Sequence, residues 1–148
     1  MRYKDYLAAL PEGSCPFCTL TDRTFVENEN AFLTYALAPY HPHHLLVIPR
    51  RHRLSVLEMT KEEGEEVWAL LRCGMQVLRS LGYEDYSVLV REGRVGGIKS
   101  LAHLHYHLIP NDRIGDLDMS GEERHIMSEE EIAVLRDEID AAIKVCPV

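Results

Sequence analysis

The first half of the chain contains short apolar runs bounded by turn residues. Residues 25–36, FVENENAFLTYA, hold two such runs separated by a polar turn at residues 28–30. Residues 44–49, HLLVIP, form a compact apolar run that Pro49 ends, and YSVLV at residues 86–90 forms another. Because runs of this length are typical of β-strands, we expect two short strands, an inner strand and a fourth strand here.

Two later segments have the spacing of capped amphipathic helices. Glu63 follows Thr60 by three residues, and Glu131 follows Ser128 in the same way, which is the spacing of a capping box. Apolar residues then recur at helical spacing: Val67, Leu70, Leu71, Met75 and Leu78 in the first segment, and Ile132, Leu135, Ile139 and Ile143 in the second. We expect one long helix ending near Gly82 and a C-terminal helix, so the order of elements predicts an α+β fold.

The segment HLHYHLIP, residues 103–110, places three imidazoles at alternate positions. In a strand, His103, His105 and His107 would share one face of the sheet. A purely structural row is disfavoured because each ring nitrogen would need a hydrogen-bond partner. Two chemical interpretations remain: a metal ion bound by all three histidines, or a site in which they have different roles.

Composition and charge exclude several classes of protein. The chain has 148 residues and a formal net charge of -8, which fits one domain and disfavours binding to a nucleic-acid polymer, although small anions can still bind locally. Without an apolar run of roughly 20 residues or a secretory signal, we expect a cytoplasmic protein that does not enter a membrane. Its four cysteines then favour metal binding or free thiols over disulfides.

The sequence CPFC is a candidate source of metal ligands. Cys15 and Cys18 supply two thiolates, and His52 follows the HLLVIP run closely. Two cysteines and two histidines would complete a tetrahedral zinc site if one histidine of HLHYHLIP joined them. A single CxxC is equally consistent with a turn that contains two buried thiols.

Three separated motifs together resemble the histidine-triad (HIT) superfamily of nucleotide hydrolases and transferases. HLHYHLI resembles its signature, HHLLVIPRRH resembles the segment around its Val-Ile-Pro motif, and CPFC resembles the N-terminal cysteine pair of its zinc-containing branch. The resemblance extends from about Cys15 to Pro110. It implies a single HIT-like domain over residues 1–148, with a mainly antiparallel sheet, one long helix and a C-terminal helix. It also implies a homodimer.

The same resemblance implies roles for particular residues. The expected ligands of a structural zinc ion are Cys15, Cys18, His52 and His103, and no catalytic cofactor is expected. His105 would attack the α-phosphorus of a phosphoanhydride or phosphoramidate, such as a dinucleoside polyphosphate or nucleoside phosphoramidate, and form a nucleotidyl-histidine. The other expected catalytic residues are His107, His44 and Ser100.

The loop REGRVGGIKS, residues 91–100, departs from the family pattern in ways that affect substrate binding. Lys99 stands where many members have Gln, and Arg91 stands where an Asn or Gln is expected. We expect Arg91, Gly97 and Lys99 to contact the substrate, with the two cations favouring a highly charged phosphate group. Ala36 falls where many members place a ribose-binding Asp, which weakens the assignment to a nucleoside substrate.

Two other functions are consistent with the sequence. The protein can be a nucleotide-binding or interaction module with little turnover, given the altered phosphate and ribose positions. Alternatively, the three histidines of residues 103–107 can be the ligands of a catalytic metal ion in a hydrolase.

Overall fold

The computed structural model describes residues 1–20, 23–111 and 121–142. The chain forms two compact units, Met1–Asp112 and Arg113–Val148. None of the described helices is both long and apolar enough to cross a bilayer. The interpretation of residues 1–148 as a single HIT-like domain stays a prediction.

A five-stranded antiparallel sheet forms the centre of the first unit. In chain order its strands are β1 (Val26–Glu27), β2 (Ala31–Tyr35), β3 (Leu45–Pro49), β4 (Tyr86–Val90) and β5 (Tyr106–Pro110). Their spatial order is β1-β2-β3-β5-β4, with every neighbouring pair antiparallel. The predicted α+β class and the strands expected in residues 25–49 and 86–90 are therefore confirmed.

Helix α2 (Lys61–Ser80) packs on the sheet, after the short helix α1 (Tyr3–Ala8) and a 3-10 turn at Val56–Glu58. The Thr60 hydroxyl accepts a hydrogen bond from the Glu63 backbone N–H at 3.2 Å, so the predicted helix start is confirmed. Apolar residues of α2 and of three strands form the core: Ala31, Leu33, Leu45, Val47, Val67, Leu70, Leu71, Leu78 and Leu108. Their burial is the main force that holds the helix to the sheet.

Gly74 allows α2 to approach the sheet closely. A Cβ atom at this position would lie 2.7 Å from Leu108 Cδ2 and 3.5 Å from Leu33 Cδ1. Any side chain at residue 74 would therefore require the Leu108 side chain to move.

The expectation that one strand contains all three histidines is wrong. Strand β5 begins at Tyr106, so only His107 lies within it, and the preceding residues are irregular. The Leu104 N–H donates to Arg53 O at 2.7 Å instead of joining the ladder, and His105 Nδ1 bonds the carbonyl of His103. These bonds replace strand pairing before Tyr106. The His103 ring faces the cysteines, whereas the rings of His105 and His107 stay adjacent, with centroids 4.8 Å apart.

The second unit contains the predicted C-terminal helix, α3 (Glu129–Ala142). Its capping box is complete: the Glu131 N–H donates to Ser128 Oγ at 3.2 Å, and the Ser128 N–H donates to Glu131 Oε2 at 2.7 Å. Ile143, the last residue of the predicted apolar series, lies outside the described residues. Helix α1 was not predicted from the sequence.

Candidate active site and metal-binding cluster

The four residues expected to bind metal form one cluster. The candidate ligand atoms of Cys15, Cys18, His52 and His103 all lie within 4.8 Å of one another. His103 Nδ1 lies 3.4 Å from Cys15 Sγ and 3.5 Å from Cys18 Sγ, and His52 Nδ1 lies 3.3 Å from Cys18 Sγ. The cysteines come from the loop after α1, and the histidines follow β3 and precede β5.

These separations fit a tetrahedral metal ion. Bonds of about 2.3 Å to sulfur and about 2.0 Å to nitrogen place neighbouring ligand atoms about 3.5 Å apart. The second ring nitrogen of His103, Nε2, donates to Pro49 O at 2.7 Å, so in the neutral ring the Nδ1 lone pair faces the thiols. The four side chains are therefore able to bind a metal ion.

The histidines of residues 103–107 do not form a single metal site in the described structure. His103 belongs to the cluster with the cysteines, whereas His105 Nδ1 bonds a backbone carbonyl and His107 Nδ1 faces His44. The three rings are therefore not arranged to bind one catalytic metal ion.

The ring of His105 is held in one tautomer. Its Nδ1 lies 2.8 Å from His103 O, and because a carbonyl can only accept, Nδ1 carries the proton. Burial lowers the pKa of His105, and the charges of Lys99 and Arg91 lower it further although the backbone hydrogen bond opposes them. The neutral ring therefore presents an unprotonated Nε2, which is the form that a nucleophile needs.

A chain of hydrogen bonds sets the tautomer of His107. The Tyr40 N–H donates to His44 Nδ1 at 3.2 Å, so a neutral His44 carries its proton on Nε2. That Nε2 lies 2.9 Å from His107 Nδ1, which must then accept. The remaining proton of a neutral His107 consequently lies on Nε2.

His107 Nε2 is a buried donor beside the cavity. The residue is only 8% exposed, and no described group satisfies this nitrogen. Burial, with smaller effects of the charges of His105, His44 and Arg91, lowers the pKa of His107 to about 3. The ring is therefore neutral near pH 7, and its Nε2–H is a buried donor without a partner among the described residues.

A cavity that is partly open to solvent lies beside His44, His105 and His107. Aromatic side chains form much of its wall: Tyr3, Tyr6, Phe17, Tyr35 and Tyr40. Phe17 lies between the two cysteines in the sequence, and its ring centroid is 5.2 Å from that of His105. The segment that carries the thiols therefore also forms part of the cavity.

The predicted substrate residues have different positions. Arg91 and Ser100 line the cavity, and the Tyr3 and Ser100 hydroxyls lie 3.1 Å apart. Gly97 and Lys99 do not line it: Gly97 borders a separate surface groove, and the Lys99 ammonium donates to Leu54 O at 2.8 Å. With only 3% exposure, Lys99 does not reach a ligand directly, although its charge acts on His105.

Sequence reasoning missed several residues of the cavity wall. Tyr3 and Tyr6 lie three residues apart on α1 and stack with their ring centroids 6.2 Å apart. Their spacing is a weak helical signal that a six-residue helix does not make distinctive. Arg23 lies in an irregular segment before β1, where no local pattern indicated a role.

Comparison with known proteins gives the family. Residues 19–114 match the HIT domain family. An adenosine 5'-monophosphoramidase of Schizosaccharomyces pombe is 33% identical over 138 residues, which cover 88% of this chain and 99% of that protein. A bis(5'-adenosyl)-triphosphatase of Dictyostelium discoideum is 27% identical over 99 residues, which cover 66% of each chain.

Solved structures show the same fold. A histidine triad nucleotide-binding protein from Candida albicans aligns with a TM-score of 0.68 and 19% identity, covering 88% of this chain and 98% of that one. The antiparallel sheet, the long helix and the match over residues 19–114 define a histidine-triad protein. The chain belongs to the HIT domain family.

Proposed function

We propose that the protein is a nucleotide hydrolase or nucleotidyltransferase that acts at the α-phosphorus of a phosphoramidate or phosphoanhydride through a covalent nucleotidyl-His105. The observation that carries this proposal is the hydrogen bond from His105 Nδ1 to His103 O, at 2.8 Å. It leaves Nε2 unprotonated in the neutral ring of a residue that lines the cavity.

The proposed reaction has two displacement steps. The Nε2 lone pair attacks phosphorus, the bond to the leaving group breaks, and the leaving atom takes a proton from solvent while the Ser100 hydroxyl donates a hydrogen bond to it. The proton on His105 Nδ1 keeps its hydrogen bond to the His103 carbonyl. This hydrogen bond stabilises the positive charge that the ring acquires. Water or another acceptor then attacks the same phosphorus and loses a proton to solvent, the bond from phosphorus to Nε2 breaks, and the neutral imidazole is regenerated.

Preorganised donors would stabilise the charge that develops on the phosphoryl oxygens. The His107 Nε2–H is buried and aligned through His44, so it requires little reorganisation when the negative charge moves. The Arg91 guanidinium lines the same cavity and adds a full positive charge. Removing a single donor of this kind commonly reduces kcat by about 10² to 10³.

The activities of two relatives support the substrate class. One is an adenosine 5'-monophosphoramidase and another a bis(5'-adenosyl)-triphosphatase, so nucleoside phosphoramidates and dinucleoside polyphosphates are the first compounds to test. The aromatic wall of the cavity suits stacking on a nucleobase. Ala36, which also lines the cavity, supplies no carboxylate for the ribose hydroxyls.

We propose that zinc is the ion of the Cys15/Cys18/His52/His103 cluster and that its role is structural. Two thiolates and two imidazoles are a common zinc ligand set, and four protein ligands leave no position for substrate. When bound, zinc would fix the loop after α1 to the chain beside β3 and β5. The reaction itself would proceed on His105.

A cytoplasmic homodimer is also part of this proposal. Strand β4 is at one end of the sheet order, and its outer edge pairs with no described strand. Trp68 on α2 is 56% exposed, and Val88 on β4 is 40% exposed, which favours a contact with a second copy. The oligomeric state is measured directly by light scattering.

Intact-mass spectrometry tests the central step. Wild-type protein is mixed with adenosine 5'-phosphoramidate or a dinucleoside polyphosphate and quenched rapidly. We expect an added mass of one adenylyl group, absent from His105→Asn and retained in His125→Asn, which changes an exposed histidine of the second unit. An adduct that persists in His105→Asn would refute the assignment, and binding without an adduct or turnover in the wild type would indicate a binding module.

A further inference from the structure

Tyr3, the first residue of α1, is hydrogen-bonded to a residue of the proposed reaction. The Tyr3 and Ser100 hydroxyls lie 3.1 Å apart, and both side chains line the cavity. Because the two residues are 97 positions apart in the chain, this contact joins α1 to the loop of residues 91–100. Within the described part of the chain, no other group is hydrogen-bonded to the Ser100 hydroxyl. The orientation of that hydroxyl therefore depends on Tyr3.

The backbone at Ser100 is held independently of Tyr3. The ammonium of the preceding residue, Lys99, is buried and donates to Leu54 O at 2.8 Å. The Gly96 N–H donates to Lys99 O at 3.0 Å. These two hydrogen bonds fix the chain immediately before Ser100, whereas the Ser100 hydroxyl itself can still rotate. Tyr3 is thus placed to orient the hydroxyl and is not needed to hold the loop.

The position of the Tyr3 ring is itself restrained. The ring stacks on that of Tyr6, with centroids 6.2 Å apart and planes 16° apart. Arg2 Nε donates to Asp5 Oδ2 at 2.8 Å across the same turn of α1. A tyrosine side chain has few rotatable bonds, so a stacked ring presents its hydroxyl from a defined direction.

The direction of the hydrogen bond follows from the role proposed for Ser100. If Ser100 donates its single proton to the leaving atom, its oxygen can only accept from Tyr3. A phenol suits this direction because its O–H is more acidic than that of an aliphatic alcohol. Donation by Tyr3 also polarises the Ser100 O–H and strengthens the hydrogen bond that it gives. A ligand that fills the cavity would displace the water that competes for either hydroxyl.

We propose that Tyr3 is a positioning residue, whose hydroxyl donates to Ser100 and thereby directs the Ser100 O–H to the leaving atom of the substrate. This inference rests on the proposed function, because it assigns a further residue to the same site. During attack by His105, the bond from phosphorus to the leaving nitrogen breaks and its electron pair stays on nitrogen. The nitrogen takes a proton from solvent, while Tyr3 and Ser100 keep their own protons and donate hydrogen bonds.

The dependence of the rate on the leaving group tests the inference. We measure kcat/KM for two compounds, an N-alkyl adenosine 5'-phosphoramidate and the p-nitrophenyl ester of AMP. The alkylamine is the more basic leaving group, so it gains more from a hydrogen bond at the departing atom. Tyr3→Phe should reduce kcat/KM about tenfold for the phosphoramidate, the size of one hydrogen bond, and less than about twofold for the ester.

A double-mutant cycle separates positioning from packing. Ser100→Ala removes the hydroxyl that Tyr3 would orient, so Tyr3→Phe should have no further effect in that background. Tyr83→Phe is the matched control, because the Tyr83 hydroxyl lies 2.6 Å from His43 Nδ1 and does not line the cavity. It should keep the wild-type kcat/KM for both compounds. Melting temperatures verify that each variant folds.

Three results would overturn the inference: an equal loss for both compounds, a full loss from Tyr3→Phe added to that of Ser100→Ala, or a wild-type kcat/KM for Tyr3→Phe. The covalent adduct separates this failure from failure of the proposed function. An adduct on wild-type protein together with any of these results removes only the role of Tyr3. A loss that depends on the leaving group, without any adduct, refutes the covalent chemistry and retains the role of Tyr3.

Discussion

The pair His44 and His107 shows how one buried hydrogen bond can determine the chemistry of a ring. His44 Nε2 lies 2.9 Å from His107 Nδ1, and the Tyr40 N–H fixes the orientation of the pair. Without His44, a neutral His107 can carry its proton on Nδ1 instead. The nitrogen beside the cavity would then accept a hydrogen bond, and it could no longer donate to a phosphoryl oxygen.

We therefore expect His44→Phe to reduce kcat for adenosine 5'-phosphoramidate about 10²-fold with little change in KM, because the lost donor acts mainly in the transition state. Steady-state kinetics measures both constants. His43→Phe is the matched control, since His43 is exposed and does not line the cavity. A higher KM at constant kcat would mean that the pair only binds substrate.

The positions of individual side chains were the part that the sequence could not predict. Alternating histidines indicated a shared site, but the pattern did not reveal that His103 and His105 precede the strand. That outcome depends on contacts with distant residues, such as the Leu104 N–H to Arg53 O bond. Likewise, Lys99 had the chemistry of a phosphate ligand, and only the Leu54 carbonyl shows that its ammonium is directed elsewhere.

At the scale of elements, the best-predicted parts are those with strong local signals. Thr60 caps α2 and the chain turns at Gly82, where φ is +93°, as the capping and periodicity indicated. Strands β2, β3 and β4 were predicted correctly from compact apolar runs. Helix α1 has only six residues and none of them is buried, so the spacing of Tyr3 and Tyr6 was too weak a signal to predict it.

The N-terminal turn of α2 is tied to the segment after β3 by a buried carboxylate. Glu63 is 1% exposed and accepts hydrogen bonds from Arg53 Nε at 3.1 Å and Arg53 Nη2 at 2.7 Å. Arg51 Nη1 lies 3.6 Å from the same carboxylate. Because Arg51 and Arg53 flank His52, this ion pair supports one residue of the metal-binding cluster.

We expect Glu63→Gln to lower the free energy of unfolding by about 2–3 kcal/mol, because the charged partners of a buried carboxylate are left unpaired. Urea denaturation measures the change. Glu62→Gln is the matched control on the adjacent exposed position and should change stability by less than about 0.5 kcal/mol. Equal effects of the two substitutions would contradict a specific role for the ion pair.

The same carboxylate makes stability depend on acid pH. The hydrogen bond from Arg53 is the largest cause that lowers the pKa of Glu63. Its stabilisation is therefore fully present above the unfolded-state pKa of about 4.3 and is lost as pH falls through the lower folded-state value. The difference in stability between wild type and Glu63→Gln should consequently shrink below about pH 4.

At the scale of the whole molecule, the metal-binding cluster joins parts of the chain that are far apart in sequence. Cys15 and Cys18 precede the sheet, His52 follows β3, and His103 precedes β5. A bound ion would crosslink these segments in the folded state only, so binding energy would add to stability. The sequence indicated this assembly because all four ligand residues lie in motifs that resemble those of the family.

We expect purified protein to contain about one zinc ion per chain, and Cys18→Ser to lose it and to melt roughly 10 °C lower. Elemental analysis and calorimetry provide the two measurements. Cys73→Ser is the control, because Cys73 lies on α2 outside the cluster, and it should retain the metal. A metal-free wild type with the melting temperature of Cys18→Ser would exclude a stabilising ion.

His103 contributes to two sites at once. Its ring faces the thiols and the Pro49 carbonyl, while its own carbonyl accepts a hydrogen bond from His105 Nδ1. A protein engineer who wished to transplant the His105 imidazole to another scaffold could not move it alone. The graft would also have to include the cysteine loop and the end of β3, because both contact His103, whose carbonyl orients the ring that we propose attacks phosphorus.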